Sequence, residues 1–330
     1  MIGTGPYDSL RDYLTAIEAH GKLIKIDEID QDAYELTGFM YKLIDKYGWL
    51  DAPAVLVEKV KVSGEWMEGP ILINQYGMGG HEALVVGVPL DEIDPEDHIL
   101  NYKKSLQKMM SEMPIEPMKT KEVKTSDAPS KEVVLKDDEI DILSFPFIQT
   151  NPADNGRFIN TGNLITIDPD GGRNVGTYRM QIKGPRKIGI SPERNQDGWK
   201  ALMALKEKGE AHANVAVVLG TDPIVFAMSS SKTARSGQDE LEIAGGFKGK
   251  PVEVVKCENS DIMVPANVEM IIEGEIPLDD FEEEGPFGEM YGYMGLPHES
   301  TFYMNIKTCL LYTSDAADEG LGVDLGGRRI

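Results

Sequence analysis

The chain has 330 residues, 41% of them hydrophobic, and a formal net charge of -23. It can bury one or two sizeable cores, while so acidic a surface repels phosphate backbones and anionic lipid heads and disfavours nucleic-acid or membrane-surface partners. No apolar run approaches a membrane span. The opening Met1-Ile2-Gly3-Thr4-Gly5-Pro6-Tyr7-Asp8 lacks the basic and apolar regions of a signal peptide, and a cytoplasmic location is expected. Cys257 and Cys309 form no CxxC motif or disulfide framework. His20, His81, His98, His212 and His298 show no HxxxH or HExxH spacing, which argues against a zinc hydrolase.

In chain order, Ser9-Leu10-Arg11-Asp12 can cap a helix to about His20 that Gly21 stops, with Leu10, Leu14 and Ile17 at helical spacing. Leu23, Ile24 and Ile26 predict a strand. Asp32 to Tyr47 predicts a second helix, with Leu36, Phe39, Met40, Leu43 and Ile44 on one side. Ala54 to Val57 and Ile71 to Asn74 read as buried strands, and Asp94-Pro95-Glu96-Asp97 opens a helix through about Met110. This alternation predicts a small α/β domain over residues 1–115. The stretch from Met113 to Glu132, rich in Pro, Lys, Ser and Thr, reads as a linker. Strands then dominate. Asn160 to Asp168 and Asn174 to Lys183 form a hairpin around Pro169-Asp170-Gly171-Gly172. Further strands fall at Asn214 to Leu219, Val252 to Cys257, Met270 to Ile276 and Thr301 to Lys307, with a helix from Gly198 to about Lys208. Many strands with one or two helices predict a β-barrel or sandwich over residues 116–308. No G-x-G-x-x-G opens a helix after a strand and no P-loop is present, so a Rossmann dinucleotide site is not indicated.

Glu284-Gly285-Pro286-Phe287-Gly288-Glu289 places a carboxylate at each end of a turn built from Gly, Pro and Gly. Such a turn can hold both carboxylates in one geometry, as general acid–base catalysis requires. A solvated acidic turn, extended by Glu282 and Glu283, fits the same residues. Arg179 lies on a strand among Tyr178, Met180 and Ile182, where a planar guanidinium suits bidentate capture of a carboxylate; a surface arginine is the commoner case. Asn174 and Glu240 offer oxygen donors to hard cations such as Mg2+, Mn2+ or K+, with a turn residue and an acidic helix start as alternatives. Ser229-Ser230-Ser231 could offer hydroxyls and backbone groups to a phosphate or cation, or form a polar loop.

The order of these features is more specific than any one of them. It runs Asn174-x4-Arg179, Gly220-Thr221-Asp222-Pro223, Glu240, and the block from Ala244 to Cys257. Val264-Pro265-Ala266-Asn267, the turn from Glu284 to Glu289, and Gly292-Tyr293 follow. From roughly Gly3 to Thr308 the chain resembles the UbiD family of reversible decarboxylases, which use prenylated FMN. The resemblance implies a split β-barrel like those of flavin reductases. It also implies a prenylated FMN whose phosphate is bridged to protein by a divalent metal, usually Mn2+, often with K+ nearby. The implied substrate is an aromatic, heteroaromatic or α,β-unsaturated carboxylic acid, with CO2 as the other partner. By the same resemblance Asn174 and Glu240 are metal ligands, and Thr177, Tyr178, Arg179, Ser191, Glu193 and Ser229 contact the cofactor. Arg179, Glu284 and Glu289 form the catalytic trio: Arg179 engages the substrate carboxylate and pairs with Glu284, and Glu289 protonates the carbon after CO2 leaves. A flavin prenyltransferase as cofactor supplier and a homo-oligomeric full-length protein are implied as well.

The sequence departs from the family in two places. The histidine that many members carry near the cofactor phosphate falls on Asn195, flanked by Gln196 and Asp197 where basic residues are often found. Asn195 could still be the third metal ligand through its amide oxygen, which is a weaker ligand than imidazole. From Cys309 to Ile330 the chain changes character and resembles translated sequencing-adapter read-through. A non-native tail over residues 309–330 is therefore expected, with the family's C-terminal α/β domain missing and an inactive truncated chain as one outcome. Two other readings stay open: a non-catalytic or assembly subunit of a multi-subunit carboxylase, which the Asn195 loop motivates, and an FMN-binding oxidoreductase on a similar barrel.

Overall fold

The computed structural model describes residues 3–235, 237–288 and 292–313. In its first part, helix α1 (Leu10–Ala19) starts where the Ser9 hydroxyl accepts the Asp12 N–H. Strand β1 (Leu23–Asp30) pairs parallel with β2 (Ala54–Val62), which pairs antiparallel with β3 (Glu65–Ile73). Helix α2 (Glu35–Tyr47) packs Leu36 and Leu43 with Val55, Val57 and Val60. Helices α1 and α3 (Gly79–Val85) pack with Ala54, Leu23 and Leu72 in a second cluster. The predicted start of α2 at Asp32 is three residues early, because the Asp32 carboxylate accepts the Ser63 and Gly64 N–H groups instead of capping a helix. Helix α4 (His98–Ser111) begins with the Asp97 carboxylate accepting the Leu100 N–H, in line with the acidic opening seen in the sequence.

The segment after α4 is not the free linker its composition predicts. The N–H groups of Met118, Lys121 and Val123 donate to the carbonyls of Glu242, Val252 and Val254. Strand β4 (Lys121–Glu122) runs parallel to β10 (Glu253–Lys256). Here the backbone attaches the segment while polar side chains face solvent, and composition reports only the side chains.

Six antiparallel strands close into a barrel. Their order is β12 (Met270–Pro277), β9 (His212–Leu219), β6 (Phe158–Ile167), β7 (Arg173–Gly184), β8 (Lys187–Ile190) and β14 (His298–Leu311), and β14 returns to β12. Strand alternation gathers Leu164, Tyr178, Met180, Ile182, Val217, Ile272, Phe302 and Met304 into one cluster, so the barrel is filled by side chains. Each such side chain contributes roughly 1.5–3 kcal/mol when fully buried. On the opposite parity, Ile165, Val175, Ala216 and Val218 pack with helices α6 (Pro223–Ser230) and α7 (Glu240–Lys248), and with Tyr13, Ile17 and Leu84 of the N-terminal part. Helix α5 (Asp197–Glu207) packs on β6, β7 and β9. The sequence predicts α5 of these three helices, and for α7 offers only an acidic helix start at Glu240 as one alternative. Helix α6 is short and apolar all round, and α7 carries Gly245-Gly246, so neither shows a clear 3.6-residue period.

Strand β5 (Val133–Lys136) pairs with the end of β14, β11 (Met263–Pro265) pairs with β10, and β13 (Glu282–Glu284) pairs with the start of β14. The last strand runs past the Lys307 end predicted for it. Cys309, Leu310 and Leu311 are buried and pair with Leu135, Val134 and Val133 on one side and with Ile272, Ile271 and Met270 on the other. The expected tail thus begins inside a strand, and residues 314–330 lie outside the described residues. Among the described residues no helix is long and apolar enough to cross a membrane.

Candidate active site

Residues two apart on a strand share a face, and β7 uses one face for Thr177, Arg179, Gln181 and Lys183. Thr177 meets α6, and the other three meet β13 and the turn that follows it. Thr177 Oγ1 lies 3.0 Å from Ser229 Oγ and 2.8 Å from Ser230 Oγ at the end of α6. Arg179 Nε donates to Glu284 Oε1 at 2.9 Å. Gln181 Oε1 accepts the Gly285 N–H at 3.1 Å. Lys183 Nζ donates to the Glu283 carbonyl and pairs with the Glu282 carboxylate at 3.2 Å.

Glu284 is the last residue of β13 and is 0% exposed. One oxygen takes the Arg179 bond; the other, Oε2, is buried with no hydrogen-bond partner among the described residues. A buried carboxylate needs a compensating cation. The Arg179 guanidinium supplies it, and itself stacks 4.6 Å above the Phe287 ring. Gly285 has φ +88°, where only glycine is unstrained, so the chain can turn sharply away from Glu284. Glu289, the other carboxylate of the turn, lies outside the described residues.

A second cluster sits at the start of β7. The Val175 N–H donates to Glu240 Oε2 at 2.7 Å, which sets the first residue of α7 beside Asn174. The Tyr178 hydroxyl accepts the Gly198 N–H at 3.2 Å and hydrogen-bonds the Asn174 side chain. Burial pushes the Tyr178 hydroxyl up, and it pushes the Glu240 carboxyl up to about 7. Arg173 and Asp239 bring the two strand and helix ends together. Arg173 Nε donates to Asp239 Oδ2 at 2.9 Å, while Asp239 Oδ1 accepts the Leu241 N–H at 2.9 Å and caps α7. Sequence reasoning missed this pair; the only trace was that each partner precedes a candidate ligand.

One carboxylate and one amide form a hard oxygen set. Two donors do not cage an ion, but they suit a divalent cation whose remaining ligands are phosphate oxygens and water. Among the described residues no three His, Cys, Asp or Glu side chains converge on a metal position. Asn195 is exposed in the turn before α5, and no hydrogen bond joins it to Asn174 or Glu240 among the described residues. Ser191 is half-buried and Glu193 exposed in the same segment, where the Glu193 N–H donates to Gln196 Oε1 at 2.6 Å. The structure therefore bonds Thr177 to Ser229 and Arg179 to Glu284, sets Glu240 beside Asn174 only through the Val175 N–H, and leaves Ser191, Glu193 and Asn195 apart from those bonds.

Asn163, which sequence reasoning also missed, is the hub of the hydroxyl cluster. It is 1% exposed on β6. Its amide nitrogen donates to Thr177 Oγ1 at 2.7 Å and Ser229 Oγ at 2.8 Å, and its oxygen accepts the Thr221 hydroxyl at 3.1 Å. Asp222 caps α6 by accepting the Ile224 and Val225 N–H groups and pairs with Lys248 at 2.8 Å. The Gly220-Thr221-Asp222-Pro223 motif thus fixes the helix whose last hydroxyls face Thr177.

A filled barrel with an arginine–carboxylate pair, a hydroxyl cluster and a hard-oxygen pair along one strand is a scaffold for acid–base chemistry on an anionic ligand. Residues 121–316 match the family model of the 3-octaprenyl-4-hydroxybenzoate carboxy-lyase Rift-related domain, and the chain belongs to the UbiD family. It is 30% identical over 292 residues to the phenolic acid decarboxylase of Bacillus subtilis (strain 168), over 87% of this chain and 58% of that protein. Among solved structures, an evolved dimeric form of the UbiD-class enzyme HmfF from Pelotomaculum thermopropionicum, in complex with prFMN, aligns with a TM-score of 0.77 at 29% identity, covering 92% of this chain and 65% of that one. The closed form of Sedimentibacter hydroxybenzoicus vanillic acid decarboxylase aligns with a TM-score of 0.79 at 27% identity, covering 93% and 62%. The chain thus spans less than two thirds of the length of each of these proteins.

Proposed function

We propose that this chain carries the cofactor-binding and acid–base site of a prenylated-FMN-dependent decarboxylase acting on an aromatic, heteroaromatic or α,β-unsaturated carboxylic acid. The observation that carries the reading is the Arg179–Glu284 pair, with its second carboxylate oxygen buried and unpartnered among the described residues. A phenolic acid decarboxylase and prFMN-bound HmfF among the similar proteins support the substrate and cofactor classes.

Prenylated FMN, when bound, supplies the electron sink for the carbon that loses CO2. Thr177, Ser229 and Ser230 would hold its phosphate and hydroxyl groups, and Asn174 and Glu240 would hold a divalent cation, Mn2+ in this reading with K+ as a further ion, which would offset the cofactor's negative charge. Arg179 receives the substrate carboxylate, since a guanidinium matches a carboxylate edge to edge. Glu284 keeps Arg179 oriented and holds a proton-accepting oxygen, Oε2, out of water. Phe287, whose ring lies 4.8 Å from the Phe158 ring, covers one side of the Arg179 guanidinium. Glu289 delivers the proton that replaces CO2. The reading includes a flavin prenyltransferase as cofactor supplier, a cytoplasmic location and a homo-oligomeric full-length protein.

The test is co-expression with a flavin prenyltransferase and Mn2+, followed by anaerobic purification. Modified-flavin absorbance and exchange of labelled CO2 into a panel of aromatic and unsaturated acids are expected. A chain that shows neither does not have this function.

A further inference from the structure

The turn that carries Glu284 is held from outside the barrel by the segment Ile148 to Asn155. The Gly288 N–H donates to Asp154 Oδ1 at 2.7 Å, and the Asn155 N–H donates to the Pro286 carbonyl at 3.0 Å. Asp154 is 6% exposed, and its other oxygen accepts the Asn151 N–H at 2.8 Å, so both oxygens are committed to backbone donors. Asn151 presses on the same turn: a Cβ added at Gly288 would stand 3.1 Å from its amide nitrogen. The Gln181 amide closes the loop by donating to the Asn155 carbonyl while its oxygen accepts the Gly285 N–H.

The other end of the segment belongs to the N-terminal part. Ile148 is buried in the cluster formed by α2 and the β1–β3 sheet. The buried Gln31 side chain donates to the Gln149 carbonyl at 2.9 Å, and the Thr37 hydroxyl of α2 donates to the Thr150 carbonyl at 2.7 Å. A continuous set of hydrogen bonds therefore runs from α2, through residues 149–155, to the backbone on both sides of Pro286.

We propose that Asp154 is a positioning residue for the Glu284 turn, and that the N-terminal α/β part sets the geometry of that turn through Gln31, Thr37 and the segment from Ile148 to Asn155. The segment acts by fixing the Gly288 N–H directly and the Gly285 N–H through Gln181, and with them the backbone that carries Glu284. Seating of the N-terminal part on the barrel then determines how well the acid–base group is aligned. The catalytic half of this inference rests on the function proposed above; the mechanical half does not.

The test is amide hydrogen exchange on the purified chain, read at Gly285 and Gly288, for Asp154→Asn, Thr37→Val and Thr37→Ser. Asp154→Asn keeps the shape but replaces one acceptor by a donor, so exchange at Gly288 should rise roughly tenfold or more. Thr37→Val removes a hydroxyl in α2 and should speed exchange at both glycines by about threefold, while Thr37→Ser behaves as wild type. Unchanged exchange at Gly288 in Asp154→Asn, or acceleration in Thr37→Val confined to residues 31–37 and 148–151, would overturn the coupling. In the cofactor-loaded enzyme, both destabilising variants should lower kcat with KM and flavin absorbance unchanged. Faster exchange with an unaltered kcat would overturn the catalytic half. If the wild-type chain shows no decarboxylation at all, the function proposed above fails, and the exchange data still decide the coupling.

Discussion

Glu284 shows how one side chain acquires an environment that its neighbours in sequence lack. Three consecutive glutamates form β13, yet Glu282 is shared by Lys183 and Lys187, Glu283 uses its carbonyl, and only Glu284 is buried against Arg179. Alternation on the strand sends one glutamate inward and its neighbour outward, which composition cannot show. Replacing Glu284 by Gln keeps the volume but removes the charge and the proton-holding oxygen. Decarboxylation or CO2 exchange should fall by about 10²-fold or more, the range of a lost general acid–base group, with flavin absorbance retained. A Gln variant with near-wild-type turnover would show that the proton is handled elsewhere. At the same scale, the pairing of Arg179 with Glu284 could be expected only from the order of the features and the family resemblance it carries, since each residue alone fits a surface side chain. Asn163 could not be expected: a lone Asn on a strand carries no signal until Thr177, Thr221 and Ser229 are seen around it.

At the scale of elements, the site depends on the pairing of one strand start with one helix start. Arg173 and Asp239 side chains are 9% and 15% exposed and join β7 to α7 immediately beside Asn174 and Glu240. Removing one partner of such a pair leaves the other charge uncompensated. Arg173→Ala should destabilise the fold by roughly 3 kcal/mol in urea unfolding and weaken Mn2+ binding with it. A loss below about 1 kcal/mol would mean that Asp239 finds water or another donor. The hairpin of β6 and β7 and the strands β9, β12 and β14 could be read from alternating apolar residues bounded by turn residues. Helix α6 could not, α7 showed only an acidic start at Glu240 as one alternative, and the attachment of residues 118–123 along β10 was hidden because it follows from partners far away in sequence. The start of α2 misled for a similar reason: Asp32 looks like a cap and serves another turn.

Across the whole molecule, charge sets two further expectations. With a net charge of -23, the chain would repel a phosphorylated cofactor, and the divalent cation of the proposed function would offset that field locally. Dialysis against a chelator should weaken flavin retention about tenfold or more, with Mn2+ restoring it and added salt reducing the loss. Retention indifferent to the chelator would remove Asn174 and Glu240 from cofactor binding. The second expectation concerns acid. His81 is 0% exposed; its Nδ1 lies 3.3 Å from the Met78 N–H it accepts and its Nε2 lies 2.9 Å from the Lys22 carbonyl, which commits the neutral ring. Burial lowers it from 6.5 to about 4. The unfolded chain then binds the extra proton first, so this contribution is complete above pH 6.5 and is lost as pH falls towards 4. It amounts to up to about 3 kcal/mol. Glu240, raised to about 7, acts in the opposite sense, so the check is the difference in stability between wild type and His81→Gln across that window. A pH-independent difference would exclude His81 as the source. Finally, Tyr13, Ile17 and Leu84 lie in the same hydrophobic cluster as Ile165, Val175 and Met228. Evolution and engineering are bound by that alike: the N-terminal part is not a module to be shuffled. A chimera that joins it to a relative's barrel inherits a seam through the middle of a core, and must exchange both sides of the seam together or fold poorly.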